Sequence, residues 1–176
     1  MAEDGAGMME RVLTSVFSFF GREETEKKPR ISTFYWNQEK RIVQRLEEEV
    51  STCVEIWHSY VHPRVRSIFS FAELDVILFQ LARNVNKDED PITGGSEDCV
   101  LWHGDITVNN KMEVQAALCI VHKDQTKTVG FTNRLLSFIF ADDDSYALLQ
   151  NLPVTKDALQ MACGNQLCVN LAHISI

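Results

Sequence analysis

Apolar positions along the chain change their period near its middle. Between Trp36 and Tyr60, Val43, Leu46, Val50, Cys53, Trp57 and Tyr60 fall at alternating spacings of three and four, the seam of a heptad helix. The seam spans fewer than three heptads and includes a cysteine. Packing inside a small bundle therefore suits it better than a coiled coil, and Pro63 is expected to end it. Ser70-Phe-Ala-Glu73 reads as a capping box that opens a second helix, with Phe71, Leu74, Leu78, Leu81 and Val85 on one face. Joined by a Pro-containing turn, two such helices would lie antiparallel and bury their stripes against each other.

The stretch from Asn86 to Asp98, with Asp90-Pro91 and Gly94-Gly95, has the composition of a loop and marks the expected boundary between two halves. Beyond it the period shortens. Lys111 to Gly130 is rich in Val, Ile, Thr and Leu around a polar tip at His122–Lys127, which predicts a β-hairpin. Thr132 to Phe140 is expected to form a short buried helix with Thr132 as its N-cap, followed by a turn at Asp142-Asp143-Asp144. Residues 1–33 read as a loosely attached leader. Its Val12, Leu13, Val16, Phe17 and Phe20 share one side of a short helix, which would dock on the body or, alternatively, meet a membrane surface or a partner's groove.

Composition narrows the function classes. The 176 residues are 45% apolar and 24% charged, enough for one globular domain or two small ones. The longest uncharged apolar runs, Val12–Phe20 and Leu135–Ala141, are far shorter than the roughly 20 residues of a membrane-spanning helix. The opening Met1-Ala-Glu-Asp-Gly lacks the pattern of a secretory signal, so an intracellular setting, nuclear or cytoplasmic, is expected, with the five cysteines as thiols or metal ligands. With 17 basic against 25 acidic residues the net charge is −8, which disfavours a strong nucleic-acid binder and points to a protein partner.

The strongest chemical signal is Cys163-Gly-Asn-Gln-Leu-Cys168-Val-Asn-Leu-Ala-His173. Two thiols and an imidazole at spacings of five suit tetrahedral Zn²⁺, and a fourth ligand is needed. Cys99, Cys119 and the other histidines are candidates among which spacing does not choose. The run resembles the zinc-binding loop of the His-Me finger (HNH-type, ββα-metal) homing endonucleases, with its Cys-x4-Cys-x4-His hallmark. Cys99-Val-Leu-Trp102-His-Gly104 is similar to the opening of that family's domain, and Thr132-Asn-Arg134-Leu-Leu to its His-Arg-Leu helix. The DNA-binding domain of SMAD transcription factors is similar in its Cys-x-Leu-Trp opening and its Cys-Val-Asn…His ending.

The resemblance covers about residues 98–176 and implies a small zinc-stabilised ββα-metal-like domain there; with the helical hairpin that the periodicity predicts over 34–86, the expected fold class is α+β. The resemblance makes Cys99, Cys163, Cys168 and His173 the ligands of a structural Zn²⁺, leaving Cys119 as an inward strand thiol. It also implies that nuclease chemistry is lost. The family's general-base histidine, two residues before the first cysteine of the loop, is here Met161, and the helix that carries a metal-binding asparagine has no room before Ile176. The reading is thus a non-catalytic zinc module contacting a protein or, through Lys111, Lys123, Lys127 and Arg134, nucleic acid. Its alternative is a residual HNH-type metal-dependent endonuclease that recruits His103 or His122. The SMAD basic hairpin does not carry over, because the segment before Cys99 is acidic.

Overall fold

A computed structural model describes residues 42–108, 112–122, 126–151 and 158–175. The expected leader over 1–33 and its apolar segment lie outside them.

The first helix, α1 (Glu47–His58), is shorter at both ends than the heptad seam predicts. Leu46 is its N-cap, in extended conformation, and its N–H donates to the Glu49 carboxylate at 2.7 Å. Upstream, the Val43 carbonyl, which a longer helix would use internally, accepts instead from Lys87 N–H at 2.9 Å. Arg45 is buried and donates to the Ala82 carbonyl at 2.8 Å. Val43 and Leu46 are exposed, while Val50, Val54 and Trp57 carry the buried stripe. At the other end, Ser59 and Tyr60 N–H groups reach back to Ile56 and Trp57, tightening the last turn, so the helix stops before Pro63. Pro63 instead opens a 3₁₀ turn, Pro63–Ser67.

Helix α2 (Phe71–Arg83) begins with the expected capping box. Glu73 N–H donates to Ser70 Oγ at 3.4 Å and Ser70 N–H to Glu73 Oε2 at 2.8 Å. Its buried face is Leu74, Ile77, Leu78, Leu81 and Ala82; Phe71 is exposed and stacks on His58, ring centroids 4.7 Å apart. That stack, with His58 Nε2 at 2.6 Å from Asp75, ties the end of α1 to the start of α2, and Arg83 to Glu47 at 2.8 Å ties the opposite ends. The two helices are antiparallel, as their stripes require.

The second half supplies a three-stranded antiparallel sheet in the order β1 (Ile106–Val108), β2 (Val114–Val121), β3 (Lys127–Phe131). The β2–β3 hairpin matches the sequence pattern; β1 adds three residues, with Ile106 opposite Ala116. Beyond the first residue of β1, past Asp105, the side chain of Gln80 takes over along β2. Its Nε2 donates to the Cys119 carbonyl at 2.9 Å and its Oε1 accepts from Cys119 N–H at 3.4 Å. Both α2 and α3 (Thr132–Phe140) pack on β2, whose residues from Gln115 to Leu118 are all buried.

Phe131, not Thr132, caps α3, because the chain passes directly from strand into helix, leaving Thr132 at the first helical position. The helix is buried along almost its whole length. Its C-terminus is tied off by Arg64, whose Nη1 donates to the Phe138 and Ala141 carbonyls at 3.1 and 2.7 Å while its guanidinium stacks on Tyr146. The acidic run is the start of a further helix, α4 (Asp143–Asn151), with Asp142 Oδ1 accepting from Ser145 N–H at 2.7 Å. Side chains from α1, α2, the sheet, α3 and Val169 form one continuous apolar cluster, so the two stretches of sequence share a core. Among the described residues no helix is long and apolar enough to cross a membrane.

The loop that follows α2 is built around Asp90. Its carboxylate accepts from the Ile92 and Thr93 N–H groups at 2.8 and 2.9 Å, from the Thr93 hydroxyl at 2.7 Å, and from the indole of fully buried Trp57 at 3.2 Å. Gly94 N–H closes the turn onto the Asp90 carbonyl, so tightly that a Cβ at Gly94 would collide with that oxygen. Burial pushes the Asp90 carboxyl up, but the donors from Thr93, Ile92 and Trp57 outweigh it and hold the group below its ordinary value of 3.8. The stabilisation is therefore complete above that value and lost as pH falls through the lower folded-state value. Asp90→Ala is expected to destabilise the fold by about 1.5–3 kcal/mol in urea titrations at neutral pH, with the deficit shrinking in acid.

Candidate metal centre

Two isolated β-bridges assemble the C-terminal cluster. Leu101 pairs with Cys168, supported by Trp102 N–H to the Leu167 carbonyl at 2.9 Å and Val169 N–H to the Val100 carbonyl at 2.8 Å. Met161 pairs with Ile174, supported by Ala162 N–H to the His173 carbonyl at 2.7 Å and Ser175 N–H to the Gln160 carbonyl at 2.9 Å. The first bridge sets Cys99 beside Cys168; the second sets Cys163 beside His173. Between them the chain turns at Gly164, whose φ of +74° is costly for any residue with a side chain.

The ligand atoms of Cys99, Cys163, Cys168 and His173 all lie within 4.8 Å of one another, and the four can hold a metal ion. Cys168 and His173 are buried, Cys99 is half-buried and Cys163 is exposed. His173 Nε2 lies 2.7 Å from the Ser96 carbonyl, which can only accept, so Nε2 carries the proton. Nδ1 is left with its lone pair directed at Cys168 Sγ (3.5 Å) and Cys99 Sγ (3.8 Å).

Asn170 arranges this orientation. Its amide donates to the Gly95 and Asp98 carbonyls, both at 2.9 Å, fixing the loop that presents Ser96. Its Oδ1 accepts from Ala172 N–H at 3.0 Å, capping the 3₁₀ turn Leu171–His173 that carries the imidazole. Leu171 N–H adds a bond to the Pro91 carbonyl at 2.8 Å.

The electrostatics are those of a thiol cluster under mutual pressure. Burial pushes Cys168 up to about 12, with the neighbouring thiols at Cys163 and Cys99 adding to the rise. Burial and Cys163 also raise Cys99. At Cys163 the opposing effect of burial is outweighed by the Asn165 backbone and by contacts with Cys99 and His173, and the thiol is lowered. The Ser96 carbonyl raises His173. A cation at the centre would favour all three thiolates and offset the rise at Cys99 and Cys168.

The four predicted ligands thus come together, and Cys119 does not join them: it sits half-buried on β2, its backbone held by Gln80. Of the nucleic-acid contacts, Lys127 is exposed at the start of β3, while Lys111 and Lys123 lie outside the described residues. Arg134 is buried in α3, which removes it from any such surface. Met161 is also buried, its sulfur 3.7 Å from Asn133 Nδ2, and Asn133 further binds both backbone groups of Leu159. His122 is not a solvated side chain: its Nε2 is 2.9 Å from the Thr128 hydroxyl and its Nδ1 is 4.0 Å from Glu73. Sequence reasoning assigned no role to Ser96 or Asn170. The Ser96 contribution is a backbone carbonyl and carries no residue signature, whereas Asn170 stands where an N-cap precedes a short turn.

No protein-family model, curated protein or solved structure matches this chain.

Asn170→Ala should leave all four ligands in place yet weaken metal binding by about 10- to 100-fold in competition titrations with a chromogenic chelator. Because protons compete for the raised thiols, binding should release protons and weaken steadily as the solution is acidified from mildly alkaline to mildly acidic pH.

Proposed function

We propose that this protein is a non-catalytic binding module stabilised by a structural Zn²⁺ on Cys99, Cys163, Cys168 and His173, descended from an HNH-type nuclease and working by contact with a protein partner. The observation that carries the reading is the convergence of three thiols and one correctly tautomerised imidazole within 4.8 Å. Three sulfurs and one nitrogen favour zinc over hard cations, and four protein ligands fill a tetrahedral shell, leaving no position for a reactive water.

The surroundings support a binding role over cleavage. In the nucleases that the chain resembles, the position two before the first cysteine of the loop carries the proton acceptor; here it is Met161, packed against Asn133 and Leu159. His122 is engaged with Thr128, within the β2–β3 hairpin rather than the cluster's loop. A protein partner fits better than nucleic acid. The chain carries a charge of −8, and of the four cationic candidates Arg134 is buried, leaving Lys127 as the one exposed among the described residues.

Purified protein should contain one Zn²⁺ by native mass spectrometry, and Cys168→Ser should abolish uptake and lower the thermal stability of the shared core. Plasmid DNA incubated with the zinc-loaded protein and Mg²⁺ should remain supercoiled; nicking lost on changing His103 or His122 would overturn the non-catalytic reading. Salt-sensitive retention on DNA without nicking would replace the protein partner by nucleic acid.

A further inference from the structure

The four ligands differ in access. Cys168 and His173 are 1% and 8% exposed, Cys168 bridged to Leu101 and His173 held through its carbonyl by Ala162 N–H, whereas Cys163 lies on the exposed turn at Gly164, where the space that a Cβ would enter holds no atom within 4 Å. Cys99 is half-buried and within 4.8 Å of Cys163 through sulfur. A small oxidant in solvent therefore meets Cys163 first. Its partner on the outer side is Cys99, because Cys168 is held inward by its pairing with Leu101.

We propose that Cys163 is a site of oxidation by hydroperoxides, resolved by Cys99, and that the resulting disulfide opens the metal centre. The Cys163 thiolate attacks one peroxide oxygen; the O–O bond breaks, the sulfur becomes a sulfenic acid, and hydroxide or alkoxide leaves. The Cys99 thiolate then attacks that sulfur, the S–S bond forms, the S–O bond breaks and hydroxide departs. Solvent supplies the two protons that complete water or water and an alcohol. The two cysteines together lose two electrons, and the peroxide gains them.

Closing the sulfurs from within 4.8 Å to a bond of about 2.05 Å is a displacement that the exposed turn can absorb. Two of four ligands are thereby withdrawn, and Cys168 with His173 alone make a poor site for Zn²⁺. A thiol reductant would restore the cluster. The order of oxidation rests on exposure and geometry; the loss of an ion rests on the metal reading proposed above.

The test uses the full chain loaded with one equivalent of Zn²⁺ and exposed to excess hydrogen peroxide. Expected are stoichiometric zinc release to a chromogenic chelator, a loss of two hydrogens in intact mass, and a Cys99–Cys163 cross-link in the peptide map, all reversed by dithiothreitol. Cys163→Asp keeps an oxygen ligand but no oxidisable sulfur there, and should release zinc roughly tenfold more slowly or worse. Zinc retained with unchanged mass would overturn the proposal while leaving the metal reading intact, as would a bridge that maps to Cys99–Cys168. A chain that takes up no zinc but forms the Cys99–Cys163 bridge would sink the metal reading and support the order of oxidation.

Discussion

Two single β-bridges, one joining Leu101 to Cys168 and the other closing the C-terminal segment on itself between Met161 and Ile174, bring the four candidate ligand atoms together. Neither bridge extends into a sheet, so a handful of backbone hydrogen bonds brings together three thiols, and burial with the neighbouring sulfurs disfavours the ionised forms of Cys99 and Cys168. The structural metal proposed above would add about 10 kcal/mol or more of apparent binding free energy to this short set of contacts.

The loop from Asp90 to Asp98 transmits that stability to the helical side. Trp57, on the buried face of α1, donates to the Asp90 carboxylate, while Leu171, Asn170 and His173 take the carbonyls of Pro91, Gly95, Ser96 and Asp98. One segment without regular secondary structure is thus read from both sides. Its composition of Gly, Pro and Asp suggests a passive linker; its hydrogen bonds make it the shared wall of the helical hairpin and the Cys3His cluster.

How much of this was legible follows from where each signal resides. The capping box at Ser70, the β2–β3 hairpin, the buried helix at 132–140 and the candidate ligands Cys163, Cys168 and His173 were readable because each depends on side-chain chemistry at fixed spacing, whereas Cys99, far earlier in the chain, was singled out only through the family resemblance. The shortening of α1 was not, because it is enforced by Lys87 and Arg45 bonding across distant stretches of the chain. Helix α4 was hidden for another reason: three aspartates have low helix propensity and look like a turn, yet Asp142 serves as its cap and the other two sit at its electropositive start. Arg134 looked like a surface cation because charged residues usually are; nothing in its neighbours disclosed that α3 is enclosed on nearly every side.

Gln80 has a wider meaning than a single pair of bonds. A strand edge with open N–H and C=O groups invites another chain to add itself. Along β2 that flank is occupied in sequence by β1, by the Asp105 carbonyl accepting from Ala117 N–H, and then by the carboxamide of Gln80 acting as a surrogate peptide unit at Cys119. From Val114 to Cys119 a visiting strand therefore meets backbone groups already taken, and recognition of that stretch falls to side-chain shape and charge.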